Sequence, residues 1–329
     1  MQGIQKAKGE RSLRSQIGKK QKVHKQSFIK KIIKTVKKDY QLYLLALPAI
    51  VYFILFHYWP MYGVQIAFKD FIAVKGITGS PWVGFKHFER FFTSFQFWRL
   101  MKNTLGISIY QLVAGFPIPI IMALLLNQTR NKRFKKVVQT VTYAPHFISV
   151  VVLTGMMYIF LSPRNGIVNQ FIGLFGKDSV FFLGDPKYFK SVFVFSGVWQ
   201  NAGWGSIIYL AALSGINPEL YEAAKVDGAT KLQTIWNIDI PGIMPTAVIL
   251  LIMNVGRIMD VGFQKAYLLQ NSLNVEASEI IATYIYKIGL LQSQYSYSTA
   301  IGLFNTIINI ILLVSVNKIA KKVSDTSLW

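Results

Sequence analysis

The sequence predicts an all-α integral membrane protein with six transmembrane helices and with both termini in the cytoplasm. Only 15% of its 329 residues are charged, whereas a soluble domain usually carries about 25%, and its mean hydropathy is +0.37. Six apolar runs are long enough to cross the hydrocarbon core, which takes about 20 helical residues. Lysine and arginine cluster in the connections that are predicted to share one side.

The predicted spans divide the chain into a membrane domain and two short tails. The spans are approximately Leu42–Trp59, Leu105–Leu126, Val137–Leu161, Val192–Leu213, Pro245–Val261 and Ala300–Ile319. Residues 1–41 form a basic cytoplasmic tail, residues 42–320 form the six-span domain, and residues 321–329 form a cytoplasmic C-terminal tail. The fifth span is the least apolar, because it contains Arg257 and Asp260.

The positive charge of the chain marks its predicted cytoplasmic side. The connection between the second and third spans holds five basic residues within ten positions: Arg130, Lys132, Arg133, Lys135 and Lys136. Thirteen of the 36 lysines and arginines precede Gln41. A net charge of +22 in a soluble protein would suggest nucleic acid. Here the charge follows the connections, so it predicts membrane topology and no nucleic-acid partner. Two interpretations of the basic tail stay open: contact with anionic lipid headgroups, or a topology signal with no further role.

Among the predicted connections on the cytoplasmic side, the stretch from Asn217 to Pro245 is the longest, and it is too polar to lie in lipid. Asn217 can cap a helix, and Pro218 suits the first turn. Gly228 provides the positive φ that ends a helix. A second short helix follows from about Thr230 to Asn237. The stretch is therefore predicted to form a helix–glycine–helix elbow between the fourth and fifth spans.

Three groups of residues in this stretch follow a known pattern: Glu222-Ala223-Ala224, Asp227-Gly228-Ala229, and Ile238 with Pro241 and Pro245. They resemble the EAA loop of binding-protein-dependent ABC importer permeases. The resemblance implies the type I ABC importer permease architecture, in which this loop is a coupling helix that docks into a groove of a separate ATPase subunit. The residues that it assigns to ATPase coupling are Glu222, Ala223, Ala224, Asp227, Gly228, Ala229 and Pro241.

Further stretches resemble the LplB-type branch of these permeases, whose members carry complex oligosaccharides. They include GSPWVGFKHFERFF, NKRFKKVVQTVTYAPHFIS, FFLGDPKYF, GWGSIIYLAAL and the closing SLW. The resemblance implies a bacterial cytoplasmic membrane, a second and usually non-identical permease subunit, two ATPase subunits, and an extracytoplasmic solute-binding protein that delivers an oligosaccharide. It implies no cofactor on this chain, since ATP and Mg are held by the partner ATPase.

Three connecting segments are predicted to face outward. They are residues 61–103, which are rich in phenylalanine, residues 162–190, and residues 264–298, which end in the polar and aromatic run QSQYSYS. We expect these surfaces to receive the substrate-delivering protein.

Polar residues inside the predicted spans indicate a translocation pathway, because they are costly in lipid and usually face a cavity. The candidates are Gln200, Asn201 and Trp204 in the fourth span, Asn254, Arg257 and Asp260 in the fifth, and Asn305 and Asn309 in the sixth. A spacing of three places Asn254, Arg257 and Asp260 on one face of a helix. Two interpretations stay open: an ion pair between Arg257 and Asp260, or a hydrophilic pathway whose amides bond sugar hydroxyls.

No motif for catalysis or nucleotide binding is visible. The sequence lacks the phosphate-binding pattern G-x-x-x-x-G-K-[ST] and cysteine, and its four histidines are scattered. It therefore predicts a permease subunit that is not itself an enzyme. One alternative is an ion-gradient-driven secondary transporter, but neither inverted repeats nor paired carboxylates within spans are apparent. Another is a membrane enzyme acting on lipid substrates, but the 14 acidic residues are dispersed.

Overall fold

The computed structural model describes residues 38–324 and residue 327. Within that range the chain is helical, and its extended pairing is one isolated bridge between Lys69 and Trp82. The prediction of an all-α protein is therefore confirmed. Residues 1–37 of the predicted basic tail, and residues 325, 326, 328 and 329 of the C-terminal tail, lie outside the described residues.

The described chain divides into two compact units, one ending at Val64 and the other beginning at Gln65. The first unit contains α1 (Tyr40–Phe53), which includes Pro48 and continues directly into a π-helical turn at Ile54–Tyr58. No residue of α1 is buried, and the helix is apolar on all its faces, as expected of a helix in contact with lipid.

The second unit contains the remaining helices. In its first half these are α2 (Lys86–Phe92), α3 (Gln96–Gly115), α4 (Pro117–Asn127), α5 (Lys132–Tyr143), α6 (Val150–Phe160), α7 (Ile167–Gly173) and α8 (Pro186–Ser214). In its second half they are α9 (Pro218–Val226), α10 (Lys231–Thr234), α11 (Ile240–Val255), α12 (Phe263–Leu269), α13 (Val275–Ser278), α14 (Ile281–Tyr286) and α15 (Tyr295–Ser324). A π-helical turn at Ile235–Asp239 joins α10 to α11, and another at Lys287–Leu291 follows α14.

Four continuous helical stretches in the described part of the chain are long and apolar enough to cross a membrane. They are Tyr40–Phe68, Gln96–Asn127, Lys231–Val255 and Tyr295–Lys322. They contain the first, second and sixth predicted spans and most of the fifth. The fifth ends earlier than predicted, because α11 stops at Val255 and turns follow it. The chain is thus a multi-pass membrane protein, and the count of six spans stays a prediction.

The third predicted span is broken rather than straight. The stretch Lys132–Phe147 and the helix Val150–Phe160 meet at an angle of 100°. Pro145 lies in the 3-10 turn before the break, and the Ser149 side chain then accepts a hydrogen bond from the Val152 N–H at 3.3 Å, which starts the new helix. Counting the bent pair as one span raises the number of candidate spans to five.

Helix α8 contains the fourth predicted span and lies at the centre of the second unit. It is 29 residues long but is not among the stretches that are apolar enough, because serines, Gln200 and Asn201 interrupt its apolar residues. It contacts α3, α4, α5 and α11. Gly203 permits the contact with α5, because a Cβ there would lie 2.1 Å from the Thr142 carbonyl oxygen.

A buried carboxylate joins the start of α3 to the segment before α14. Glu279 is 5% exposed and accepts hydrogen bonds from Arg99 and, at 3.0 Å, from Lys287. Asn103 donates to the backbone carbonyl oxygens of Glu276 and Glu279, at 2.7 and 3.1 Å. These contacts stabilise the arrangement of two segments that are 180 residues apart in the sequence.

We predict that Glu279→Gln destabilises the protein by about 1–3 kcal/mol, less than the cost of breaking a fully buried ion pair, because both cations are partly solvated. The substitution leaves Arg99 and Lys287, whose side chains are 33% and 29% exposed, without the buried carboxylate that they share. The midpoint of thermal unfolding, measured in detergent by loss of the monodisperse species, should fall clearly. Glu276→Gln makes the same chemical change at an exposed position three residues earlier. Equal midpoints for the two variants would contradict the stabilising role of Glu279.

Candidate functional site

The stretch 217–245 forms two short helices separated by a glycine. The Asn217 side chain caps α9 by accepting a hydrogen bond from the Glu219 N–H at 3.1 Å, and Pro218 is the first residue of the helix. Gly228 follows the end of α9 and has a φ of +71°, a conformation that favours glycine. Thr230 then caps α10 together with Gln233. The second helix is shorter than predicted, since it ends at Thr234 and a π turn continues the chain.

The surface of this elbow carries side chains that no other part of the described chain covers. Glu222, Ala223, Asp227 and Gly228 are exposed, as is Pro241, whereas Ala224 and Ala229 are half-buried. Large apolar side chains are exposed beside them: Leu220, Val226, Leu232 and Trp236. Together these residues form a mixed acidic and apolar surface, which we call the elbow surface.

A fully buried carboxylate fixes the elbow to the ends of two long helices. Asp239 accepts hydrogen bonds from the Tyr221 hydroxyl at 2.6 Å, the Gln128 amide at 2.9 Å and the Asn127 amide at 3.3 Å. Burial and the neighbouring Asp239 raise the pKa of Tyr221 to about 12, so its hydroxyl keeps the proton that it donates. The network joins α9, the end of α4 and the start of α11.

Sequence reasoning missed Asp239. A usable signal was present, because an acid between Ile238 and Ile240 stands in an apolar segment next to Pro241, and a carboxylate in such surroundings needs donors.

A polar cavity of about 340 Å³ lies where α3 faces the end of α11. It brings together Asn254, Arg257 and Asp260, as predicted for the pathway. Its wall on the other side comes from residues that sequence reasoning did not select: Ser108, Gln111, Leu112, Gly115 and Phe116. The Ser108 hydroxyl is buried with no hydrogen-bond partner in the described structure, which is costly unless a ligand group or water supplies one.

Asn254, Arg257 and Asp260 do not all lie on the single helix that was predicted to carry them. They do not share a face of one helix, because α11 ends at Val255 and Arg257 and Asp260 lie in the turns that follow. Gly256 packs so closely on Leu313 of α15 that a Cβ would lie 2.6 Å from its side chain. In the described chain the Arg257 and Asp260 side chains form no ion pair within 4.0 Å.

The two asparagines predicted in the sixth span have separate positions. The Asn309 side chain accepts a hydrogen bond from the Met259 N–H at 3.1 Å, so it fixes the turns that carry Arg257 and Asp260. The Asn305 side-chain oxygen is buried and has no partner within the described residues. Neither residue lines the polar cavity.

The predicted lining residues of the fourth span also lie away from this cavity. Gln200 is buried and donates to the Ile148 carbonyl oxygen at 2.7 Å, which ties α8 to the break before α6. The Asn201 side-chain oxygen lies 3.0 Å from His146 Nδ1. Trp204 stacks on the His146 ring at 4.6 Å with an interplanar angle of 5°. Asn201 and Trp204 are exposed on the surface of α8.

A buried lysine near the cavity was also missed. Lys265 donates to the Phe193 carbonyl oxygen at 2.6 Å, and no carboxylate of the described chain lies within 4.0 Å of it. A Cβ on Gly197 would lie 3.3 Å from its Nζ and 4.0 Å from the side-chain nitrogen of Gln111, which lines the cavity. Sequence reasoning passed over Lys265 because it falls outside every predicted span.

Comparison with known proteins shows which family the chain belongs to. The family described as "Binding-protein-dependent transport system inner membrane component" matches residues 115–325. The polygalacturonan/rhamnogalacturonan transport system permease protein YteP of Bacillus subtilis (strain 168) is 44% identical over 298 residues, which cover 91% of this chain and 92% of YteP. Protein LplB of the same organism is 41% identical, over 89% of this chain and 92% of its own length.

A solved structure has the same fold. It is a chain of a bacterial alginate ABC transporter in complex with a periplasmic protein that holds an alginate pentasaccharide. The TM-score is 0.83 at 42% sequence identity, and the match covers 90% of this chain and 99% of the other. The predicted resemblance to ABC importer permeases is therefore confirmed, and the chain belongs to the family of inner membrane components of binding-protein-dependent transport systems.

Proposed function

We propose that this chain is the transmembrane permease subunit of an ATP-driven importer for an acidic oligosaccharide. The observation that carries the proposal is the agreement among its relatives. YteP is described as a permease for polygalacturonan and rhamnogalacturonan, and the similar solved structure belongs to an importer of the acidic polysaccharide alginate. Identities of 44% and 42% support a shared substrate class.

The importer that we propose needs several further subunits. An extracytoplasmic solute-binding protein delivers the oligosaccharide, and a second, non-identical permease subunit completes the pathway. Two ATPase subunits bind ATP and Mg, because this sequence has no phosphate-binding loop of its own. The chain then acts as a permease without ATPase chemistry.

The chemistry of the polar cavity supports passage of a sugar. Gln111 and Asn254 offer amides, and Arg257 offers a cation that is not paired with Asp260. Amides and hydroxyls bond sugar hydroxyls, and a guanidinium binds a carboxylate with two parallel hydrogen bonds. Asn201 and Trp204, exposed on α8, remain candidates for a part of the pathway that the second permease completes.

The elbow surface supports coupling to an ATPase. It presents Glu222 and Asp227 beside exposed apolar side chains, a composition that suits a protein partner better than water. An ATPase that binds this surface more tightly in one nucleotide state favours one conformation of the permease, since a ligand shifts an equilibrium by its differential affinity.

The Asp239 network supplies a route from this surface to the membrane helices. Tyr221 belongs to α9 and donates to Asp239, which precedes α11, and α11 ends at the polar cavity. A displacement of α9 therefore acts on α11 through a short, buried, charge-assisted hydrogen bond.

We predict that Glu222→Lys and Gly228→Pro each lower ATP-driven uptake at least tenfold while the protein remains in the membrane. The first reverses a charge of the elbow surface, and the second forbids the φ of +71° at the bend. Uptake of a labelled oligogalacturonate into proteoliposomes and co-purification of the ATPase subunits measure the effect. Asp178→Lys makes the same charge reversal in a predicted outer segment and serves as the control. Normal uptake by both elbow variants would exclude the coupling role.

We predict that Asp239→Ala separates ATP hydrolysis from uptake. The variant leaves the Tyr221 hydroxyl and the amides of Asn127 and Gln128 without their acceptor, so α9 is no longer held to α11. Tyr221→Phe removes a single bond, worth about 1.5–3 kcal/mol for a charged acceptor, and should reduce uptake less. Both variants should still co-purify with the ATPase. If Asp239→Ala transports as well as the unmodified importer, the network does not transmit the movement.

We predict that Arg257→Gln raises the KM for an acidic oligosaccharide about tenfold, equivalent to about 1.4 kcal/mol. The loss is that of one charge-assisted contact to a carboxylate in the cavity. Concentration-dependent uptake in proteoliposomes gives the KM. Arg164→Gln, which removes the same charge at an exposed position outside the cavity, should leave it unchanged. An unaltered KM in Arg257→Gln would remove Arg257 from the pathway.

A further inference from the structure

A second polar cavity, of about 370 Å³, lies between two of the predicted outer segments. One wall comes from Asp70, Phe71, Ile72, His87 and Arg90, and the other from residues 293–297. It shares no residue with the polar cavity at the end of α11. We call it the outer cavity.

Direct contacts between its two walls hold the outer cavity in shape. The Phe71 N–H donates to the Ser296 hydroxyl oxygen at 2.9 Å, and the rings of Phe71 and Tyr295 meet edge to face at 6.0 Å. Arg90 donates to the Gln294 side-chain oxygen at 2.9 Å. The Arg90 guanidinium also lies over the Tyr297 ring, 4.1 Å from its centre. The lining groups are therefore positioned before any ligand arrives.

The charges in the outer cavity leave one cation uncompensated. Asp70 accepts a hydrogen bond from Lys86 at 2.7 Å and lies 3.0 Å from His87. The Lys86 ammonium holds the pKa of Asp70 below its usual value, so this carboxylate stays charged and satisfied. Arg90, in contrast, has no carboxylate of the described chain within 4.0 Å.

Two further features shape the lining of the outer cavity. His87 Nε2 lies between two oxygens, Asp70 Oδ1 at 3.0 Å and the Lys69 carbonyl at 3.2 Å, so Nε2 is an N–H donor to them and the ring is fixed in the wall. Ser293 has a φ of +55° and is the one non-glycine residue with positive φ among the described residues, and such backbone outliers occur often at ligand sites.

Planar polar side chains beside exposed aromatic rings are the groups that bind sugars. Arg90 offers N–H donors besides the one bound to Gln294, and Tyr295, 40% exposed, offers a ring surface. The unpaired guanidinium adds a preference for a carboxylate, which it binds with two parallel hydrogen bonds.

We propose that the outer cavity is a second saccharide subsite, at which Arg90 binds the carboxylate of a uronate residue while Tyr295 packs against the sugar ring. The inference rests on the proposed function as an importer of acidic oligosaccharides, and it places a recognition step on the outer side of the permease. The occupant is the sugar itself, since a cavity of about 370 Å³ is within the size range of small-ligand sites.

The test is a binding measurement on the complete importer in lipid nanodiscs, without the solute-binding protein. The probes are fluorescently labelled trigalacturonate and its carboxyl-reduced, neutral counterpart. We expect Arg90→Gln to raise the Kd for trigalacturonate about tenfold and to leave the Kd for the neutral probe unchanged. Tyr295→Ala should weaken the binding of both probes. Lys75→Gln, which removes a positive charge from an exposed position outside the cavity, should change neither.

Three results would overturn the subsite. They are an unchanged Kd for trigalacturonate in Arg90→Gln, an equal loss for both probes in that variant, or, in a separate pull-down with the solute-binding protein added, weaker docking of that protein with unchanged sugar binding. The last result would assign the outer cavity to the binding protein. ATP-driven uptake by the unmodified importer is measured in parallel, so failure of the proposed function appears as absent uptake and failure of the subsite appears only in binding.

Discussion

A single buried carboxylate holds the exposed elbow to the long helices of this protein. Asp239 has no exposed surface, and three donors from two different segments converge on it. An ionised carboxylate is stable in such a place only when its oxygens are satisfied by hydrogen bonds. The positions of α4, α9 and α11 are therefore linked, because moving any one of them leaves a charge or a donor without its partner.

The buried polar groups of the second unit fall into two sets, those that are compensated by contacts within the described chain and those that are not fully compensated there. Glu279, Gln200 and Asn309 have partners within the chain, and these contacts fix the segments around them. Ser108 and Asn305 have buried oxygens without partners, and Lys265 has no nearby carboxylate in the described chain. The first group builds the scaffold. The second group holds polar atoms whose hydrogen bonding or charge is not fully compensated within the described chain.

The all-α class and the elbow were predictable, because they depend on local signals such as apolar length, helix caps and glycine. The predicted shared helix face of Asn254, Arg257 and Asp260 was wrong, although all three line one cavity. The end of α11 at Val255 was not predicted, and the close contact of Gly256 with Leu313, more than 50 positions later, forms only in the folded chain. The 100° break before α6 was not predicted either, although Pro145 and the Ser149 cap lie at it. The sequence did not indicate Asp239 and Arg90 as site residues, because their hydrogen-bond partners become neighbours only in the folded chain.

The π-helical turn at Ile235–Asp239 has a consequence for the phase of the helix that follows it. A π turn accommodates one residue more than an α-helical turn, so α11 is offset by one residue, about 100° of rotation, from the helix that α10 would produce if it continued regularly. The rotational position of Asn254 around the axis of α11 therefore depends on the π turn at the other end of that helix. Insertions and deletions between Thr234 and Asp239 rotate a membrane helix, whereas the same changes near Gly228 alter only the length of an exposed turn.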